Sequence, residues 1–205
     1  AAGQGDVRAV AVEVVRGEVV GHVQQVGQVA DGLPVAEHVV ANLDELAQTK
    51  PGAPDRAEKL RKFADAFVET AFRRPPSEDL RLLLIDSQFK AAKTPETAVK
   101  RVVMLALKSP QFLYPGLRAS EPADDYENAS RLALTLWDSI PDRKLLQAAS
   151  QGRLRSRDQL AAEARRMLAD PRTRIKMHGF FHQWLELERV EAISKDPKAF
   201  PDFTP

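Results

Sequence analysis

The sequence predicts an all-α fold, a helical bundle of about seven helices, with a Val/Gly-rich amino-terminal segment of doubtful order. Three observations lead there. From Asn42 onward apolar residues recur three and four positions apart, Ser, Thr or Asp stands before most of these runs, and proline or glycine separates them. The 205 residues are 43% hydrophobic, enough to build a buried core.

Composition removes several functions. Lys and Arg total 30 against 29 Asp and Glu, a net charge of +1, so no global excess points to nucleic acid or an anionic membrane. The absence of cysteine excludes a disulfide framework, a thiolate zinc site, an iron–sulfur cluster, a covalently attached haem and a cysteine nucleophile. No stretch of about eighteen apolar residues occurs, and the first residues lack a basic patch followed by an apolar run, so neither a membrane span nor a signal peptide is expected.

Residues 1–41 use only Ala, Asp, Glu, Gly, Val, Gln, Arg, His, Leu and Pro. Ser, Thr, Asn, Lys, Ile, Phe, Tyr, Trp and Met, all missing there, supply 49 of the 164 residues from Asn42 onward. Under uniform composition such avoidance has a chance on the order of one in a million. The permitted set is what the complementary strand of a gene rich in G and C at third codon positions would encode. We therefore read 1–41 as a non-native or out-of-frame segment that makes no packed interface, in preference to a Val-rich hairpin. Residues 42–54, ending in Pro51, Gly52 and Pro54, read as a linker.

Asp55 is positioned to cap a helix reaching about Arg73, with Leu60, Phe63, Phe67, Val68 and Ala71 on one stripe; Pro75 and Pro76 end it. Ser77 precedes a second helix bearing Leu80, Leu83, Leu84 and Phe89. Thr94 and Pro95 open a third, with Val99, Val102, Val103, Leu105 and Ala106, and Ser109 and Pro110 close it. These make a small three-helix domain at 55–118. After a loop through Gly116 and Pro122, a second helical domain starts at 124 and is cut off at 205. Its first helix, from about Asp125 to Ser139, buries Leu132, Leu136 and Trp137. Ser139 and Asp142 lead into a short helix with Leu145 and Leu146 that Gly152 ends; Ser156 with Gln159 forms a capping box before Leu160, Ala164, Met167 and Leu168. Asp170 and Pro171 open the seventh helix, where Ile175, Phe180, Phe181, Trp184 and Leu185 give a broad apolar surface. Residues 194–205 have no helical period and look like a connection.

Catalytic residues are not identifiable: no Ser-His-Asp arrangement, phosphate loop or spaced carboxylate pair stands out. His178, His182 and Glu186 lie four apart, a spacing compatible with a two-histidine, one-carboxylate metal set. Glu188 and Glu191, the nearest further acids, sit where convergence on one ion is difficult, so no metal site and no cofactor in this chain are expected. Residues 151–178 hold eight Arg or Lys against three Asp or Glu. Stacking aromatics are not interleaved with that charge, which favours a solvated surface with Arg131, Arg166 or Arg172 fixing carboxylates and helix ends over nucleic-acid binding. Trp137 and Trp184 are expected in the core, and Asp138, Ser139 and Asp142 at a helix junction.

The run from Phe63 to Pro76, followed by Lys-Ser-Pro-Gln-Phe-Leu-Tyr at 108–114, resembles a small helical domain, the domain of unknown function 1595, of large multidomain proteins from planctomycetes and related bacteria. Leu136-Trp137-Asp138-Ser139-Ile140-Pro141-Asp142, Gly152-Arg153-Leu154, Arg166 to Arg172 and Phe181-His182-Gln183-Trp184-Leu185 are similar, in this order, to the domain of unknown function 1592 that follows it. The resemblance covers about Asp55 to Pro205. It implies an exported, periplasmic or secreted protein with haem c in a separate domain, a second domain continuing past Phe203, and neighbouring domains of the same protein as partners. The expected role is a helical scaffold or interaction module; the alternative is a fragment of a metal-dependent or redox enzyme acting on carbohydrate.

Overall fold

The structure, a computed structural model, describes residues 33–116, 123–187 and 198–199. The expectations for residues 1–32, for Pro122, for Glu188 and Glu191 and for most of 194–205 lie outside the described residues. Those described are helical without a strand: α1 (Leu33–Ala41), α2 (Leu43–Leu46), α3 (Arg56–Phe72), α4 (Glu78–Arg81), a π-helical turn (Leu82–Asp86), α5 (Ser87–Ala91), α6 (Pro95–Lys108), α7 (Pro110–Leu113), α8 (Asp125–Trp137), α9 (Arg143–Ser150), α10 (Arg157–Leu168) and α11 (Pro171–Trp184). All seven expected helices are present, the second one interrupted by the π turn, and α1, α2 and α7 are additional.

Local chemistry sets most of the boundaries. Thr94 accepts a hydrogen bond from the Thr97 amide with Pro95 in the first turn of α6, where its missing N–H costs nothing. Asp124 and Asp142 accept from the amides of Glu127 and Leu145, at 2.7 and 2.8 Å, and so begin α8 and α9. Ser156 and Gln159 form the reciprocal capping box at the start of α10. After α9 the chain reverses at Gly152, φ +67°, with the amides of Gly152 and Arg153 returning to the carbonyls of Ala149 and Ala148. Asp55 and Ser77 occupy the first positions of α3 and α4 without a side-chain capping bond.

Two cores result. In the first, Leu60, Phe63, Phe67 and Ala71 of α3 lie at helical spacing and fully buried against Val99, Val102, Val103 and Ala106 of α6. Here the structure corrects the expectation for residues 1–41. The last nine, α1, pack on α6 and bury Ala36 and Val39 completely, and Glu37 pairs with Lys100 at 3.3 Å. Val35, Ala36, Val39 and Val40 fall three and four apart, so a restricted alphabet still wrote an amphipathic helix. The 42–54 stretch is likewise built into this core rather than spanning it as a linker: Leu43, Leu46 and Ala47 are buried, and Arg56 ties Asp44, at 2.5 Å, to Glu96, at 2.8 Å.

The second core is made by Ala129, Ala133 and Trp137 of α8, again four apart, with Leu145, Ala148, Ala149, Leu154 and Met167. Leu132 and Leu136 are only partly buried at its edge. Ile140, just past α8, joins the first core rather than the second. Arg74, one residue past the α3 cap, grips Asp124 through both terminal nitrogens, at 2.8 and 3.0 Å.

Candidate functional site

Trp137 ends α8 at the centre of a junction. Its indole N–H donates to the Met167 carbonyl at 3.2 Å, and the Thr173 hydroxyl donates to the same oxygen at 2.8 Å. The guanidinium carbons of Arg172 and Arg166 stand over the indole, 3.4 and 5.7 Å from the ring centroid. Each arginine is also tied to the aspartate that caps a helix: Arg166 to Asp142 at 2.7 and 3.1 Å, Arg172 to Asp170 at 2.8 and 2.7 Å. The motif residues from Leu136 to Asp142 and from Arg166 to Arg172 thus fasten four helices together. Their polar atoms are engaged in caps and ion pairs, which is structural work.

The cationic 151–178 region resolves in the same way. Arg155 pairs with Asp125, Arg166 with Asp142 and Glu163, Arg172 with Asp170 and Lys176 with Asp138. Arg131, outside that stretch, pairs with the buried Glu127 one turn earlier.

Trp184 departs from the expectation that it is a core residue, being 66% exposed. Thr173, in the first turn of α11, is buried; Met177, Phe180, Phe181 and Trp184 continue the same side of the helix at roughly 100° per residue. α11 packs on α8 and α10, and beyond its first turn that side loses its cover, so Phe180 and Phe181 are about half exposed. Phe180, Phe181 and Trp184 touch one another with ring centroids 5.3 to 6.1 Å apart. His178 and His182 lie on the opposite side with stacked rings 5.9 Å apart. Glu186 lies beyond the Leu185 cap with φ +51°, off the helical face that the four-residue spacing implied. Among the described residues no group of three His, Asp or Glu side chains is arranged to hold a metal ion.

A polar cleft opens where the end of α3 meets α7 and α8, enclosing about 400 Å³, part of it open solvent. Arg73, the αL cap of α3 with φ +60°, lines it and is only 6% exposed. Its Nη2 donates to the carbonyls of Gln111, at 3.0 Å, and Phe112, at 3.2 Å. Burial, and then the neighbouring charge of Arg74, pull the Arg73 guanidinium down to about 10, so it remains a cation at neutral pH. Sequence reasoning missed this site because its residues come from segments some 40 to 60 positions apart; the only local signal is the Arg-Arg pair after an apolar helix.

No helix among the described residues is long and apolar enough to cross a membrane. No curated protein and no solved structure matches the chain. Residues 123–205, which hold the Trp137 junction and all of α11, match the model of the family described as PSD4, a protein of unknown function (DUF1592).

Proposed function

We propose that this chain is a helical scaffold or interaction module of an exported multidomain bacterial protein whose haem c lies in a separate domain, and that α11 docks a neighbouring helical domain of that protein. The carrying observation is the bare aromatic side of α11, where Phe180, Phe181 and Trp184 form a contiguous cluster continuing a side buried at Thr173. Contiguous exposed aromatics on a helix are covered at little entropic cost by another apolar helix, since each ring fixes only two torsions. The polar residues of the conserved-looking motifs are already engaged in helix caps and ion pairs, which supports a framework role. The resemblance of 55–118 to the domain of unknown function 1595, together with the family match of the second half, supports a multidomain setting with that domain preceding this one.

The test is tryptophan accessibility in the full-length protein against this chain alone. Trp137 is buried here and serves as the internal reference. Acrylamide should quench Trp184 in the isolated chain and be excluded from it in the full-length protein, with a blue shift in emission. Phe181→Ser with Trp184→Ala should weaken association with the added neighbouring domain at least about tenfold, a loss of roughly 1.4 kcal/mol or more. Equal quenching of Trp184 in both proteins defeats the reading.

A further inference from the structure

A cation taken out of water opposes folding unless something neutralises it. Arg73 is such a cation, and among the described residues no carboxylate pairs with it. Only Nη2 is engaged, by two main-chain carbonyls, whose partial charges leave the unit charge of the guanidinium uncompensated. The N–H groups on Nε and Nη1 have no acceptor among the described residues. They are not sealed off either. The buried polar atoms lacking a partner are Thr49 Oγ1, Asp86 Oδ1, Ser139 Oγ and Arg172 Nη1, none of them on Arg73, so its open donors reach the cleft.

The other charges around the cleft cancel. Arg74 is held by both oxygens of Asp124, and Glu127 by Arg131. One positive charge with a free fork of donors remains, beside walls formed by Phe72, Tyr114 and Pro115, with Tyr114 62% exposed. We propose that this cleft binds the carboxylate of a small organic acid, with Arg73 holding the anion and Phe72, Tyr114 and Pro115 lying along its carbon chain. A guanidinium edge matches a planar carboxylate in two parallel hydrogen bonds. A phosphate dianion fits poorly, because only one uncompensated charge is present and the carboxylate of Glu127 lies on the same wall. The space suits a small molecule and is too small for a folded partner.

The experiment follows the side-chain Nε–Hε resonance of Arg73 in the unaltered chain while butyrate, inorganic phosphate or chloride is added at matched ionic strength. Butyrate should move it saturably, phosphate at least about tenfold more weakly, and chloride without saturation. Arg73→Lys, which keeps the charge and loses the fork, should weaken butyrate binding about tenfold or more. Because Arg73→Gln risks loss of folding, the resonance of the unaltered protein decides. A butyrate response no different from chloride overturns the site, and phosphate binding as tight as butyrate overturns its assignment to carboxylates.

Discussion

Trp137 and Trp184 lie on similar apolar stripes, yet one is 4% exposed and the other 66%. Trp137 is held by a carbonyl and two guanidinium groups, so Trp137→Ala removes packing, leaves a cavity and strands both arginines; the expected loss is about 3 to 5 kcal/mol in urea unfolding. Trp184→Ala should change the stability of this chain by no more than about 0.5 kcal/mol. A large loss there would mean that α11 is covered in solution. Asp125 shows how a buried carboxylate is made stabilising. Burial pushes its carboxyl up, but Arg155, at 2.7 Å, and the Leu154 amide, at 2.8 Å, outweigh that and hold it below the ordinary aspartate value. A group depressed in the folded state contributes stability above its unfolded value of about 3.9, and that contribution disappears as pH falls through the folded value. Asp125→Asn should therefore cost about 1 to 3 kcal/mol at pH 7 and unfold with a shallower acid dependence than the parent below about pH 4. Identical acid profiles would remove Asp125 from this role.

Element boundaries were legible wherever a cap is written in adjacent residues. Thr94-Pro95, Ser156 with Gln159, Asp170-Pro171 and Gly152 all act where the sequence placed them, because a cap is decided by side chains within about three positions. Gly152 permits a clean test. Nothing lies within 4 Å of a Cβ added there, so Gly152→Ala tests backbone conformation alone; at φ +67° it should destabilise by about 1 to 2 kcal/mol, with Gly152→Asn milder. An unchanged midpoint would show that the reversal after α9 tolerates another conformation. What sequence did not show has a physical reason in each case. A π turn inserts one residue without breaking an apolar stripe, so Leu82–Asp86 read as ordinary helix. α1 was discounted on residue types although Ala36 and Val39 carried the period. The α11 stripe was visible, but whether a neighbour covers it depends on where α8 and α10 end. The Arg73 cleft arises from tertiary packing, where no local pattern reports it.

At the scale of the whole molecule two apolar cores are coupled by few contacts. Ile140 leaves the second half of the chain to bury itself in the first core, 4% exposed, and the Arg74–Asp124 pair links the end of α3 to the cap of α8. Arg74 also lies over the Tyr126 ring, 5.7 Å from its centroid. The ion pair is partly solvated and contributes no more than about 1 kcal/mol, so Ile140 carries most of the coupling. Helices of both cores contribute to far-ultraviolet dichroism, while buried-tryptophan fluorescence reports only Trp137 in the second. The two signals should follow one transition in the parent chain. Ile140→Ala removes the shared side chain at a cost of about 2 to 5 kcal/mol and should separate them, the tryptophan signal tracking only part of the loss of helix. Arg74→Gln should leave them nearly coincident. If the signals already separate in the parent, the cores are independent units; if they remain together in Ile140→Ala, the coupling resides in the α3–α8 junction around Arg73 and Arg74 instead.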